Sequence, residues 1–586
     1  MKVLLLFSYS LILCLGSLSA QNDLWRTKID PTILTAIERE GKAGYLVVLE
    51  TKADLSAARQ LPDKLSMGTY VYENLKMVAE ASQAPVLQLL TQKGLPAHSF
   101  LLVNAIYTES DMAALEEIAR LPEVKDLLYN FTTKFQEPVV EESSGSRSPE
   151  DLTWGILKIK ADSVWMMGYQ GQGVVVAGHD TGIDWEHPAI KSKYRGWNGT
   201  TADHNYNWHD AIHTPVNSED TNPCGFDLTA PCDDNSHGTH TLGTMVGSDG
   251  SNQIGVAPAA QWIGARNMDE GNGTLFSYIE GFEWFLAPTD MSGQNPDPAK
   301  APHVINNSWY CSTGEGCNET NFDVLEEVVN NVRAAGIVVV VSAGNSGPDC
   351  NTVTGPPAFF ESSFSIGATN DQDSIASFSS RGSVSIDGSL RLKPNVSAPG
   401  AGVYSCILNG GYGNKSGTSM SSPHVAGVVA LMISARPELA GQVEVIETIL
   451  EQTADYLYTD QVCGDLTGND VPNYTYGYGR INALEAVKAA LEWNVTGTTP
   501  VVADQAAVRW YPNPFEEVLH LESHGITGDV QFTLYDASGR IVLQQSLTLS
   551  PQDTRVFSLA SLLPGIYACE IVGAAGQWSG KVSKIR

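Results

Sequence analysis

Gly417-Thr418-Ser419-Met420-Ser421-Ser422-Pro423-His424-Val425-Ala426-Gly427 runs on into Val428-Val429-Ala430-Leu431-Met432, and the reading of this stretch decides the fold. It is a glycine turn, a serine at a helix start, and a small-residue helix able to pass through a core. Proline has no N–H and is tolerated near a helix's first turn, so Pro423 predicts a helix beginning close to Ser419. Ser419 Oγ then lies beside free backbone N–H groups at the positive end of the helix dipole, where an oxyanion can be held. That makes Ser419 a candidate nucleophile. A serine before a helix is commonly no more than an N-cap, so the reading needs partners elsewhere.

The surrounding region, from about Trp154 to Trp493, alternates apolar strands with helices. Gly173-Val174-Val175-Val176-Ala177-Gly178 and Gly336-Ile337-Val338-Val339-Val340-Val341 are continuous apolar runs of the kind found in parallel sheets covered on both faces. Helices are expected at His237 to Val246, about Phe322 to Ala335, Thr418 to Ala435, Val443 to Thr453 and Ala483 to Leu491. This is a doubly wound, mostly parallel α/β domain, in which chemistry is sought just beyond the carboxyl ends of the strands.

Three such places stand out. The first apolar run ends in His179-Asp180-Thr181-Gly182, a carboxylate at a strand end. Asn235-Ser236-His237-Gly238-Thr239-His240-Thr241 opens a helix with two histidines, and Ala343-Gly344-Asn345 follows the second run. Turns, caps and core histidines explain most such residues singly. Zinc is a rival for the histidines, but His-Gly-Thr-His lacks the i, i+4 spacing and the glutamate of a metalloprotease helix. Jointly they have one explanation. A hydroxyl needs an imidazole as base, the imidazole needs a carboxylate to hold its tautomer, and a tetrahedral oxyanion needs preorganised donors. Asp180, His237, Asn345 and Ser419 supply those four parts.

At 586 residues the chain exceeds one hydrophobic core and suggests three or four units. With 35 basic against 66 acidic residues, its formal charge of −31 argues against nucleic acid or anionic lipid as partner. Residues 1–20 have the lysine, apolar run and small-residue exit of a signal peptide, and nothing later reads as a membrane span. Cys14 lies in that apolar run, and Ile12-Leu13 before it disfavours a lipid anchor. Eight cysteines remain after the signal. Cys224 with Cys232 and Cys311 with Cys317 are plausible local disulfides in an oxidising compartment, and Cys350, Cys406, Cys463 and Cys569 stay unassigned.

Residues 21–150 divide into a small α+β region and a tether. Tyr45 to Leu49 and Ser99 to Tyr107 read as strands, with Leu127-Leu128-Tyr129 closing the set. Leu75 to Gln92 and Met112 to Arg120 read as helices, the latter capped by Ser110 or Asp111. Glu137 to Glu150 is acidic and rich in Ser, Gly and Pro, exposed enough to be cut. After a linker at 496–506, residues 507–586 alternate with period two around turns such as Asp536-Ala537-Ser538-Gly539-Arg540, which indicates an antiparallel β-sandwich.

The chain order Asp, His, Ser is that of subtilisin, not of chymotrypsin or the α/β-hydrolases. On Asp180-Thr181-Gly182, His237-Gly238-Thr239-His240, Ala343-Gly344-Asn345 and Gly417 to Gly427, residues 151–495 resemble the subtilisin-like serine peptidases. Trp154-Gly155-Ile156, Ala161-Asp162-Ser163-Val164-Trp165, Tyr194-Arg195-Gly196, Tyr206-Asn207-Trp208 and Asn306-Asn307-Ser308-Trp309 look like the bacillopeptidase F branch. The resemblance implies Asp180 as orienter, His237 as general base and acid, Ser419 as nucleophile, and the Asn345 side chain with the Ser419 amide as oxyanion hole. It implies substrate binding along Ser308, Trp309, Tyr310, Ala343 and Gly344, where Trp309-Tyr310 replaces the common leucine-glycine pair and leaves Trp309 open to a packing role. No cofactor is required for such chemistry; the resemblance allows structural calcium, though no ligand set stands out.

Asp180 and His237 are 57 positions apart (237 − 180), longer than in compact members, and the insert reads as a disulfide-closed rim loop. By the same resemblance residues 21 to about 136 look like a ferredoxin-like propeptide acting as intramolecular inhibitor, with Arg147-Ser148 one candidate cut. The terminal module, on Tyr511-Pro512-Asn513-Pro514-Phe515, Leu534 to Arg540 and Leu563-Pro564-Gly565-Ile566-Tyr567, looks like a type IX secretion sorting domain; a plain binding sandwich is its alternative. The expected protein is a secreted or surface-held serine endopeptidase with protein or peptide substrates and the type IX machinery as partner. A catalytically silent scaffold used as a surface binding protein is the rival, and an esterase a weaker third.

Overall fold

The computed structural model describes residues 24–134, 152–216, 222–250, 252–312, 315–493 and 508–584, the last with short gaps at 512–514, 524–527, 537–539, 551–552, 564 and 574–575. The expected signal peptide, the tether from Glu137 to Glu150, the linker and part of the Tyr511 to Phe515 motif lie outside the described residues. The chain forms two units, Met1–Trp493 and Asn494–Arg586.

Within the first unit, residues 24–134 carry α1 (Pro31–Glu40), β1 (Ala43–Leu49), α2 (Lys64–Lys93), β2 (His98–Phe100), β3 (Ala105–Ser110), α3 (Met112–Ala119), β4 (Val124–Tyr129) and β5 (Thr132–Lys134). The antiparallel order β2-β3-β1-β4 with the two connecting helices is ferredoxin-like. The sequence predicts one strand over Ser99 to Tyr107, but the structure breaks it into β2 and β3. The main-chain N–H groups of Leu101 and Leu102 between them are taken by the Glu283 carboxylate at 2.7 and 2.8 Å. Burial pushes Glu283 up to about 7, against the two bonds that favour its charge. Asp63 caps α2 through Ser66 N, so the helix begins eleven residues before the expected Leu75.

The remainder of this unit is built on a parallel sheet. Its strands are β6 (Val175–Asp180), β7 (Trp208–Asp210), β8 (Gln261–Arg266), β11 (Val304–Asn307), β12 (Val338–Ser342), β13 (Phe364–Thr369) and β14 (Val396–Pro399), in the order β14-β13-β12-β11-β6-β8-β7. The short strands β9 (Met268–Asp269) and β10 (Asn272–Thr274) form a hairpin outside it. Helices α4 (His237–Val246), α5 (Leu275–Leu286), α6 (Glu319–Ala334), α7 (Thr418–Ala435), α8 (Val443–Gln452) and α9 (Ala483–Glu492) complete the layers.

The sequence singled out β6 and β12, whose apolar runs are unbroken; the other five strands are short or interrupted by polar residues. Helix α7 has no polar stripe, as befits a helix buried on every side. Residues Thr418 to Ile433 are all buried, and the helix packs against β11 to β14, α4 and α9. The insert between Asp180 and His237, expected as a rim loop, also contributes an edge strand: β7 pairs in parallel with β8, Gly264 opposite Trp208. Among the described residues no helix is long and apolar enough to cross a membrane.

The expected disulfides Cys224–Cys232 and Cys311–Cys317 are present, and a third, Cys350–Cys463, closes a separation of 113 residues. Cys406 and Cys569 are free and buried. The second unit consists of a three-stranded antiparallel sheet (Val508–Tyr511, Val518–Ser523, Asp553–Ser558) and a four-stranded one (Ile541–Leu549, Gly528–Tyr535, Gly565–Gly573, Gly576–Lys584). They share a core that includes Phe515, Leu521, Phe532, Phe557 and Ile571, the sandwich expected from the period-two pattern.

Candidate active site

Asp180 ends β6 and His237 opens α4, and the two meet in the interior. His237 Nδ1 lies 2.6 Å from Asp180 Oδ1, with both side chains buried. Thr181 N donates to the same oxygen at 2.8 Å, and Thr241 Oγ1 to Oδ2 at 3.2 Å. A carboxylate oxygen accepts, so Nδ1 is the donor in this contact and Nε2 is left as the other nitrogen of the ring. The histidine pair considered for zinc is split: His240 Nε2 turns away to the Val403 carbonyl at 3.0 Å, and burial brings its imidazole down to about 3. Among the described residues no group of three or more His, Cys, Asp or Glu is arranged to hold a metal ion.

Ser419 is the second residue of α7, on a helix that packs against α4. Its Oγ donates to the Ser308 carbonyl at 3.1 Å. The helix begins at Thr418, close to Ser419 as the sequence predicts, and Pro423 is its sixth residue, so the Ser419 carbonyl lacks its usual i+4 donor. Ser308 Oγ supplies one at 3.1 Å, while accepting from Asn306 Nδ2 at 2.8 Å and meeting Ser422 Oγ at 2.9 Å. This outside donor lets the helix run through its proline.

Asn345 follows β12. Its Oδ1 accepts from Thr418 N at 2.9 Å and Thr418 Oγ1 at 3.0 Å, and Gly344 N donates to the same hydroxyl at 3.2 Å. Pinning the oxygen end fixes the amide plane and leaves Nδ2 as its other face. Gly344 has φ +100°, a backbone that side chains rarely adopt, and Ala343 is held by the Ile366 carbonyl at 3.0 Å. Helix starts and strand ends thus set Asp180 against His237 and Asn345 against the start of α7, a helix that packs on α4.

The strand-end segment Ser308-Trp309-Tyr310 is more mixed. Ser308 is spent on α7. The Trp309 indole faces the core, 1 % exposed, stacked on Tyr278 with ring centroids 3.6 Å apart, so as a substrate-facing side chain it is corrected to packing. Tyr310 is half-buried beside Gly355, where an added Cβ would meet its ring, and it hydrogen-bonds Ser346.

The sequence did not mark what lies along the opposite edge. Segment β5 of the N-terminal region pairs antiparallel with β10, Lys134 opposite Asn272, Thr133 opposite Gly273 and Thr132 opposite Thr274. On its other side Lys134 N donates to Glu315 Oε1 at 2.7 Å, inside the Cys311–Cys317 loop. Thr133 is buried between two exposed neighbours, its hydroxyl on that of Tyr278. The available signal was the glycine-flanked polar stretch Gly271-Asn272-Gly273 just before a helix, a flat edge open to a further strand.

Parallel strands that deliver a carboxylate and an amide to helices opening on histidine and serine form the layout of an α/β-type serine peptidase. Comparison with known proteins gives the family. Residues 171–479 match the subtilase family, and the chain belongs to it as a subtilisin-like serine peptidase. It is 37% identical over 473 residues to bacillopeptidase F of Bacillus subtilis, covering 77% of this chain and 30% of that protein. It is 31% identical over 448 residues to subtilisin E of the same organism, covering 76% of this chain and 97% of that protein. Over 342 residues it is 33% identical to the subtilisin of Bacillus pumilus, 58% of this chain and all of that protein. Residues 509–584 match the secretion system C-terminal sorting domain, which marks the protein for export to the medium or cell surface.

Proposed function

We propose that the protein is an endopeptidase made as an autoprocessed zymogen, with Asp180, His237 and Ser419 as its triad. Ser419 Oγ attacks the scissile carbonyl as its proton passes to His237 Nε2, and Asp180 holds the imidazole through Nδ1 and stabilises the imidazolium. The oxyanion receives hydrogen bonds from Asn345 Nδ2 and the Ser419 amide. Collapse breaks the C–N bond, His237 returns the proton to the leaving amine, and water attacks the acyl-enzyme by the reverse relay. The chemistry uses no cofactor.

The observation that carries this reading is the buried 2.6 Å contact between His237 and Asp180, beside the helix that presents Ser419. The zymogen reading is supported by the pairing of β5 on β10, which sets the N-terminal region's last described strand as a substrate strand would lie. In it, residues 21–150 are propeptide and tether, 151–495 the peptidase domain and 507–586 the sorting domain after a 496–506 linker, with a signal peptide at 1–20. Ser419 cuts its own tether first and foreign peptides after the propeptide leaves.

Reaction of the secreted protein with a fluorophosphonate, followed by mass spectrometry, tests the proposal. Labelling of Ser419 with a new N-terminus within the tether is the expected result. A Ser419→Ala protein that still processes itself and hydrolyses peptides would overturn it and leave the scaffold reading.

A further inference from the structure

A strand laid along β10 has one side chain it must bury. Thr132 and Lys134 of β5 are exposed, whereas Thr133 between them is 1 % exposed. It sits over Gly273, where any side chain would collide with the Tyr278 ring, so the backbone there is bare and the pocket floor is Tyr278 itself. The ring is held in place by the Trp309 indole, stacked on it at 3.6 Å and 8°. Inside, the Thr133 hydroxyl meets the Tyr278 hydroxyl and lies 3.5 Å from the Gly273 carbonyl. Among the described residues the Tyr278 hydroxyl has no other hydrogen-bond partner.

We infer that Tyr278 is a specificity-determining residue whose buried hydroxyl selects substrates carrying a threonine or serine at the position that Thr133 occupies. The inference rests on the peptidase reading above. A substrate strand replaces β5 once the propeptide leaves and inherits its alternation, so one of its side chains enters the same pocket. Threonine or serine there restores the hydroxyl pair. Valine, with the same shape, leaves the Tyr278 hydroxyl buried without a partner, and sites built around a hydrogen bond discriminate strongly against such analogues. Leucine and phenylalanine meet the Tyr278–Trp309 stack. Because β5 precedes the tether in the chain, the selected side chain lies on the acyl side of the bond to be cut.

Digestion of a proteome-derived peptide library by the mature protein, with the cut sites read by mass spectrometry, tests this without assuming a register. Threonine and serine are expected to be enriched over valine at a single position N-terminal to the cut, and matched Thr and Val peptides at that position to differ roughly tenfold in kcat/KM. Tyr278→Phe keeps the ring on Trp309 and is expected to keep cleaving while bringing the Thr and Val peptides together. Efficient cleavage by the wild-type protein with equal rates on the matched peptides overturns the inference and leaves the peptidase reading intact, whether or not Tyr278→Phe folds. Absence of any cleavage by a correctly processed protein, with Ser419 unlabelled, overturns the reading beneath it.

Discussion

Ser308 holds Ser419 from two directions: its hydroxyl donates to the Ser419 carbonyl at 3.1 Å, and its own carbonyl accepts the Ser419 hydroxyl at 3.1 Å. The first bond replaces the one that Pro423 cannot make, and the second sets the rotamer of the proposed nucleophile. A residue after β11 therefore ties the start of α7 to the central sheet.

Ser308→Ala removes the first bond and leaves the second, which is main-chain. The buried Ser419 carbonyl then lacks a donor, and a loss of about 1–3 kcal/mol in stability is expected from chemical denaturation. A stability equal to wild type would show that another group caps the carbonyl.

Asp180→Asn keeps the shape of the site but offers a donor where His237 Nδ1–H needs an acceptor. The imidazole then takes the wrong tautomer, and kcat is expected to fall by about 10⁴, the order found for other such triads. Near-UV circular dichroism checks that the fold survives, and labelling of Ser419 by a fluorophosphonate is expected to slow in parallel.

Asn345→Ala takes away the proposed side-chain donor to the oxyanion, and with it the partner of Thr418 N. Loss of one such donor costs about 10²–10³ in kcat, a magnitude measured in a subtilisin. KM is expected to change little, because the charge it serves exists only in the transition state. A rise in KM with kcat unchanged would reassign Asn345 to ground-state binding.

His213 joins the insert to α5: its Nδ1 lies 2.5 Å from Asp227 and its Nε2 2.9 Å from Glu280. The hydrogen bond with Glu280, followed by the nearby carboxylate charges, raises His213 to about 9 despite its burial. Burial opposes the Glu280 charge, but hydrogen bonds from His209 and His213 outweigh it and bring the carboxyl down to about 2. A raised histidine contributes stability that is complete below its ordinary 6.5 and is lost as pH rises through about 9. The lowered glutamate contributes above its ordinary 4.5 and loses that contribution as pH falls through about 2. Thermal unfolding of His213→Gln is thus expected to show a deficit against wild type at pH 6 that shrinks by pH 9.5. A deficit constant over that range would mean that His213 serves only by packing.

The Cys350–Cys463 bridge closes 113 residues and ties the segment after Asn345 to a loop that also holds Arg381 through Gln461. A Cys350→Ser, Cys463→Ser double variant is expected to lose about 2–4 kcal/mol of stability, read from unfolding in denaturant. Loss of the Cys224–Cys232 bridge, across a separation of only 8, is expected to cost less.

Much of the site was legible because its parts are local. A carboxylate at the end of an apolar run, a histidine opening a helix, and a serine between a glycine and a small-residue helix each follow from main-chain rules within a few residues; in the structure Asp180 meets His237 and Asn345 meets the start of α7. The small α+β region and the terminal sandwich were legible for the same reason, through their periods. Only the tertiary structure decided how remote segments meet. It turned Trp309 onto Tyr278, split the strand at Leu101 for the sake of Glu283, let α7 continue past Pro423 on a hydroxyl from Ser308, and set Thr133 against Tyr278. Those contacts depend on which side chains face each other across separations of more than a hundred residues, apart from the local Trp309–Tyr278 stack, and no local period or turn signal encodes that.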